Sequence, residues 1–199
     1  MRLSHSPTSP YVRKVMACAI ARGLDGRFEK PTTNPHLSPP ELLEVNPLSK
    51  VPALLLDDGT ALYDSPVICE YLDGLGDASP LFPPPGEARW RALRLQALGD
   101  GILDACVSRR MDGMRPHEAA REAAMARQKE AVARALDALE RDPPGAAWDI
   151  GTITVACALG YIDFRFESDA WRQGRPRLAA WYAAVAERPE MARTVPPPQ

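Results

Sequence analysis

Residues Met1 to Ala21 read MRLSHSPTSPYVRKVMACAIA. The pattern is a short strand, a Ser/Thr/Pro turn and a helix. Ser9 stands where a helix N-cap belongs, and Pro10 follows at the first helical position, where a missing N–H is no loss. Val12, Val15, Met16 and Ala19 then recur at helical spacing. A strand that delivers a hydroxyl to a helix start builds a place for an anion, because backbone N–H groups and the helix dipole point there. Ligands of open α/β sheets gather at the carboxyl ends of strands, where this turn lies. The same residues also serve as a helix cap without chemistry, with Thr8 satisfying the turn.

Working outward, Gly23-Leu24-Asp25-Gly26 stops the first helix and turns the chain. Arg27 to Lys30 is expected to be a second, short strand, completing a parallel, right-handed βαβ unit. Pro31 to Pro40 is loop, and Ser38 to Val45 a short helix ended by Asn46-Pro47. Lys50 to Leu56 reads as a buried strand with Pro52 at its mouth. Asp57-Asp58-Gly59-Thr60 is a hairpin turn, and Ala61-Leu62-Tyr63 is the returning strand. Asp64-Ser65-Pro66 opens a helix over Val67 to Gly74, repeating the cap grammar of Ser9-Pro10.

Residues 1–78 therefore form an α/β domain, and 79–86 a proline-rich linker within ASPLFPPPG. Residues 87–199 read as helical. Helices are expected over Arg89–Val107, Pro116–Arg141, Ile150–Phe166 (capped by Asp149) and Arg177–Glu187, with the very apolar third one at the centre of an all-α domain. Pro196-Pro197-Pro198 continues as an extended tail.

Composition narrows the functional classes. With 24 basic and 26 acidic side chains in 199 residues, no nucleic-acid footprint is expected. No secretory leader and no apolar run near the roughly 20 residues of a bilayer span is read here, so no membrane partner is expected. Cys18, Cys69, Cys106 and Cys157 form no CxxC pair. Buried, reduced thiols of a cytoplasmic protein and no metal site are the expectation.

Two further features carry chemistry. Val51-Pro52 opens a strand without a ladder donor, which marks an edge or a special turn. Were that bond cis, the Val51 N–H and C=O would be turned out to pair with an extended peptide. Asp64-Ser65 sets a carboxylate and a hydroxyl at a helix start, which suits an amino acid head group as well as a plain cap.

SPTSPYVRKV, NPLSKVPAL and DSPVICEYL resemble, in order and spacing, segments of the cytosolic glutathione S-transferases. ALGDGILDA and TITVACALGYIDFR are similar to a bacterial branch of that family, so the resemblance covers nearly the whole chain. It implies a thioredoxin-like N-terminal domain, an all-helical C-terminal domain and a homodimer. It also implies a glutathione site. Val51 would pair its backbone with the cysteinyl part, with Pro52 cis. Asp64 and Ser65 would hold the γ-glutamyl end, and Lys50 would lie near the glycine carboxylate. Ser9 matches the serine of a Ser-Pro-Phe/Tyr pattern, the thiol-activating hydroxyl of serine-type members; Ser6 and Thr8 are rivals for that contact. Tyr11 is then a helix residue near the site. The electrophile pocket is expected between the domains, with Arg109, Arg110, Met111 and Met114 as candidates, Met being adaptable to varied apolar substrates.

The implied reaction is attack of glutathione thiolate, as co-substrate, on a small electrophile, in the service of detoxification. A free thiol of pKa about 8.5 is only about 3% thiolate at pH 7, and the thiolate is the nucleophile. A hydrogen bond from Ser9, beside a helix N-terminus, has the strength to lower that pKa by about two units. Alternatives on the same scaffold are a glutathione-dependent disulfide reductase, peroxidase, isomerase or dehalogenase, or a non-catalytic glutathione-binding module. Ser9, rather than a cysteine there, argues against disulfide exchange. One departure from the family pattern is Asp149-Ile150-Gly151-Thr152, where Thr152 replaces the usual acidic end of a capping box.

Overall fold

The strand, turn and helix expected at the start are present: β1 spans Arg2–Ser4 and α1 Pro10–Ala21. The structure, a computed structural model, describes residues 1–198. The chain divides into two compact units, one of residues 1–84 with 189–198, the other of 85–188.

In the first unit, β2 (Ala53–Leu55) pairs antiparallel with β1, Leu3 opposite Leu54, and β3 (Ala61–Leu62) pairs antiparallel with β2. Leu3, Ala53 and Leu54 are fully buried. The hairpin turn is the expected Asp-Gly one: Gly59 takes φ +87°, and Asp58 accepts from the Thr60 N–H at 2.8 Å. The expected strand at Arg27–Lys30 reduces to isolated parallel bridges, Arg2 with Glu29 and His5 with Thr32. Pro31 lacks an N–H and splits the ladder. The strand expected over Lys50–Leu56 is trimmed at its start, because Ser49 turns left-handed (φ +51°) and Pro52 cannot donate.

Helices cover this sheet. α2 is shorter than the expected Ser38–Val45, at Pro40–Leu43, because Ser38 is left-handed (φ +46°) after a 3-10 turn. α3 spans Ser65–Leu75; Asp64, not Ser65, is its cap residue, and the Asp64 side chain caps nothing. α1 packs on α3 and also on α8 (Pro189–Ala192). Arg13 fixes that last contact, its Nη2 donating to the Met191 carbonyl at 3.1 Å. The segment 189–198 thus lies with the first unit, whereas the sequence pattern ran the helical domain through it.

The residues expected to be a proline-rich linker are anchored at their start. The Asp73 carboxylate accepts from the N–H groups of Leu81 (2.7 Å) and Phe82 (3.0 Å), and both side chains are buried.

The second unit consists of helices. α4 runs Glu87–Gly113, α5 Ala119–Arg141, α6 Ile150–Arg165 and α7 Pro176–Ala186. α6 is buried from Ile150 through Ile162, as its apolar sequence predicts. It meets α4 at glycines: a Cβ on Gly151 would lie 2.4 Å from the Ala92 carbonyl, and one on Gly99 would lie 2.8 Å from Thr154. Thr152 completes the capping box after all. Its hydroxyl accepts from the Asp149 N–H, and Asp149 accepts from the Thr152 N–H, both at 2.9 Å. The expected classes, an α/β domain followed by an all-helical one, both hold. The four cysteines form no disulfide and are buried. No helix among the described residues is long and apolar enough to cross a membrane.

Candidate functional site

Register decides which residues share an edge of the first unit. β1 ends at Ser4 opposite Ala53, the first residue of β2. β3 runs antiparallel to β2, with Leu62 opposite Leu54. The end of β1, the start of β2 and the end of β3 therefore lie side by side. The chain continues from them into the turn bearing Ser9, back from Ala53 to Pro52 and Val51, and on to Asp64 and Ser65.

Ser9 caps α1, its Oγ accepting from the Val12 N–H at 3.3 Å. That bond uses an oxygen lone pair and leaves the hydroxyl proton available to donate. Ser6 and Thr8 share the turn, Ser6 accepting from the Ser9 N–H at 3.1 Å.

The Val51–Pro52 bond is cis, and so is Tyr63–Asp64. The Val51 side chain packs against Leu42, Val45 and Ala53. Its N–H and C=O have no hydrogen-bond partner among the described residues. Such a pair is what an extended peptide needs to add itself as a strand. Lys50 is exposed, as is Asp64; Ser65 is buried at the first position of α3. None of these three side chains is hydrogen-bonded within the described residues.

Sequence reasoning passed over Asn46, read only as a helix stop. It is 1% exposed. Its Nδ2 donates to the Lys50 carbonyl at 2.9 Å and its Oδ1 accepts from the Leu48 N–H at 3.0 Å. The signal was available: asparagine at the head of NPLSKVP is a residue that bonds to backbone a few positions on.

The candidate electrophile contacts lie on α1 and on α4. Tyr11 is half-buried on α1. Met111 is half-buried and Met114 is 55% exposed at the end of α4. Arg109 is buried, donates to Asp169 at 2.7 Å and lies 4.1 Å over the Phe166 ring. Among the described residues no cluster of three or more His, Cys, Asp or Glu is placed to hold a metal.

Comparison with known proteins places these features in a lineage. Residues 8–75 match the model of the glutathione S-transferase N-terminal domain, and residues 122–184 that of its C-terminal domain. An uncharacterized GST-like protein of Escherichia coli (strain K12), YibF, is 33% identical over 202 residues, covering 99% of both chains. A glutathione transferase family member from Pseudomonas fluorescens Pf-5, crystallised with bound glutathione, is 44% identical, covers 98% of each chain and superposes with a TM-score of 0.93. The same family member with bound S-(propanoic acid)-glutathione gives 45% identity over 99% of this chain and 100% of that one, with a TM-score of 0.89. The chain, with its thioredoxin-like first domain and helical second domain, belongs to the glutathione S-transferase family.

Proposed function

We propose that the protein is a glutathione transferase of the serine type, activating the glutathione thiol for attack on small electrophilic substrates. The observation that carries this reading is the shared edge of Ser9, Val51 and Ser65, in a chain 44% identical to a family member that binds glutathione. The unpaired N–H and C=O of Val51 take the cysteinyl backbone as an added strand. The Asp64 carboxylate takes the γ-glutamyl ammonium, and Ser65, at the start of α3, its carboxylate. Lys50 faces the glycyl carboxylate.

The cysteinyl sulfur then lies within reach of the Ser9 hydroxyl, which donates to it without losing its own proton. A pKa lowered by two units corresponds to about 2.7 kcal/mol, within the combined range of a charged hydrogen bond and a helix N-terminus. The thiolate forms a carbon–sulfur bond to the electrophile, while a leaving group departs or an adjacent carbon takes a proton. The binding of a propanoic acid thioether of glutathione by a 45% identical neighbour supports a site that tolerates substitution at sulfur. Tyr11 is the first unit's candidate contact for the electrophile.

The reading extends to a cytoplasmic homodimer engaged in detoxification; four buried cysteines that form no disulfide fit a reducing compartment. Calorimetry with glutathione, coupled to an ultraviolet titration of the bound thiolate, tests the reading. Binding with a thiolate pKa well below that of the free thiol is expected. Binding with an unshifted pKa would instead identify a passive glutathione module.

A further inference from the structure

Both side-chain hydrogen bonds of Arg13 leave its own helix. Nη2 donates to the Met191 carbonyl at 3.1 Å and Nε to the Thr194 hydroxyl at 3.3 Å. No carboxylate pairs with it among the described residues. Its backbone belongs to the first turn of α1, where the Arg13 N–H donates to the Ser9 carbonyl at 3.0 Å. One residue therefore joins the C-terminal segment to the serine whose hydroxyl faces the thiol in the reading above.

That segment is firmly seated. Met191 is fully buried, and α8 packs on α1. The Thr194 hydroxyl donates to the Glu190 carbonyl at 2.8 Å, and Arg193 pairs with Asp25, just past the far end of α1. Residues 191–194 thus form a strap along α1, pinned beyond one end by Arg193 and one turn inside the other by Arg13. Val195 and Pro197, which follow, line a cleft together with Ser6 and Pro7 of the turn that leads to Ser9. The Ser9 cap bond itself is long, 3.3 Å from the Val12 N–H, so the local cap alone holds the hydroxyl loosely.

We propose that Arg13 is a positioning residue for the thiol-activating hydroxyl. By clamping residues 191–194 to the first turn of α1, it holds Ser9 where its hydroxyl donates to the glutathione sulfur. The proposal rests on the serine-type reading and deepens it: Arg13 acts through Ser9 and the strap, not by contact with the sulfur. The other charged groups on this side, His5, Lys30 and the Asp25–Arg193 pair, line the same cleft and stay as they are in the variants below.

Ultraviolet titration of glutathione bound to the full chain measures the thiol pKa, and calorimetry measures the affinity. Arg13→Gln is expected to raise the bound-thiol pKa by about half a unit to one unit, leaving roughly three- to tenfold less thiolate near neutral pH. Glutathione Kd is expected to stay within about twofold, while the Arg193 and Thr194 amides exchange faster with deuterium. Thr194→Val leaves α1 and the Arg13 charge in place and removes one of the two acceptors. It is expected to shift the pKa in the same direction, and the double variant no further than Arg13→Gln alone. A depressed native pKa that Arg13→Gln leaves unmoved would overturn this proposal alone, as would a shift that Thr194→Val does not share, since the charge rather than the strap would then act on the sulfur. An undepressed pKa in the native protein would overturn the serine-type reading and this proposal together.

Discussion

The side-chain amide of Asn46 holds the carbonyl of Lys50 at 2.9 Å, so a single buried residue sets the backbone that leads into Val51. Both ends of the amide are used, since Oδ1 accepts from Leu48. Ser49 between them is left-handed, and its hydroxyl donates to the Pro35 carbonyl at 3.0 Å. The loop is therefore shaped by hydrogen bonds rather than by apolar packing.

Asn46→Ala removes a donor and an acceptor from partly buried backbone, at a cost of about 1–3 kcal/mol. A fall in melting temperature of about 2–4 °C per kcal/mol is expected for a chain of this length. Glutathione affinity is expected to fall by a further factor of ten or more. Asn46→Asp is expected to be no better, because a carboxylate cannot donate to the Lys50 carbonyl. Calorimetry on the folded variants checks this; an unchanged glutathione affinity would separate the loop from the site.

Ser9 has a capping role and a proposed chemical one, and glycine distinguishes them. Glycine at an N-cap costs only a few tenths of a kcal/mol relative to serine, yet it has no hydroxyl to donate. Ser9→Gly is expected to leave stability and glutathione affinity nearly intact. The bound thiol pKa should rise by about one to two units, lowering turnover near neutral pH by roughly 10- to 100-fold. Were Thr8→Ala to produce that loss and Ser9→Gly not, the activating hydroxyl would be that of Thr8.

Asp73 ties the start of the inter-unit segment to α3, and Arg22 neutralises it, Nε to Oδ1 at 3.1 Å. Arg22 also donates to the carbonyls of Asp73 and Gly76. With both side chains nearly excluded from water, Asp73→Ala leaves a buried charge uncompensated. A destabilisation of about 3–5 kcal/mol is expected, with a smaller loss in the double variant Arg22→Met with Asp73→Leu. Urea unfolding measures both. Chymotryptic cleavage after Leu81 should appear in the single variant and be suppressed in the native protein.

The fold was legible where pattern and burial agree. The Ser-Pro cap, the Asp-Gly turn and the fully buried Ile150–Ile162 stretch each have one good solution. The edge that gathers Ser9, Val51 and Ser65 was legible only through family resemblance, because strand register joins residues more than forty positions apart. Three features escaped for physical reasons. The strand expected at 27–30 depended on a ladder that Pro31 interrupts. Asn46 looked like punctuation because its partners are backbone atoms, which leave no sequence signal of their own. The Arg109 pairing left no trace because nothing local announces Asp169, sixty residues on, as its partner.

The cysteines give a simple chemical check. All four have no solvent exposure. The Cys106 thiol is pushed up to about 12, chiefly by burial, with Arg109 pulling it down and Asp169 pushing it up. The thiolate is the reactive form, so the native protein at pH 8 should resist a disulfide-exchange reagent such as Ellman's. Four equivalents should react promptly once urea unfolds the chain. Fast reaction of any thiol in the folded state would contradict this packing.

The Arg109–Asp169–Lys129 cluster makes the helical unit sensitive to acid. Asp169 accepts from Arg109 at 2.7 Å and from Lys129 at 2.8 Å. Burial pushes its carboxyl up, but the hydrogen bonds and charges of the two cations outweigh that and hold it below the usual carboxylate range. The unfolded chain then binds the proton more readily than the folded one. The stabilisation is fully present above the ordinary carboxylate pKa, and it is lost as pH falls through the lower folded value. Asp169→Asn, which lacks this charge at every pH, should therefore be less stable than the native protein at pH 7, and the gap should narrow as the pH is lowered from 5 toward 3. Parallel urea titrations at pH 7, 5 and 3 read this directly. A gap that stays constant across that range would assign the variant's loss to packing around the Phe166 ring rather than to the charge on Asp169.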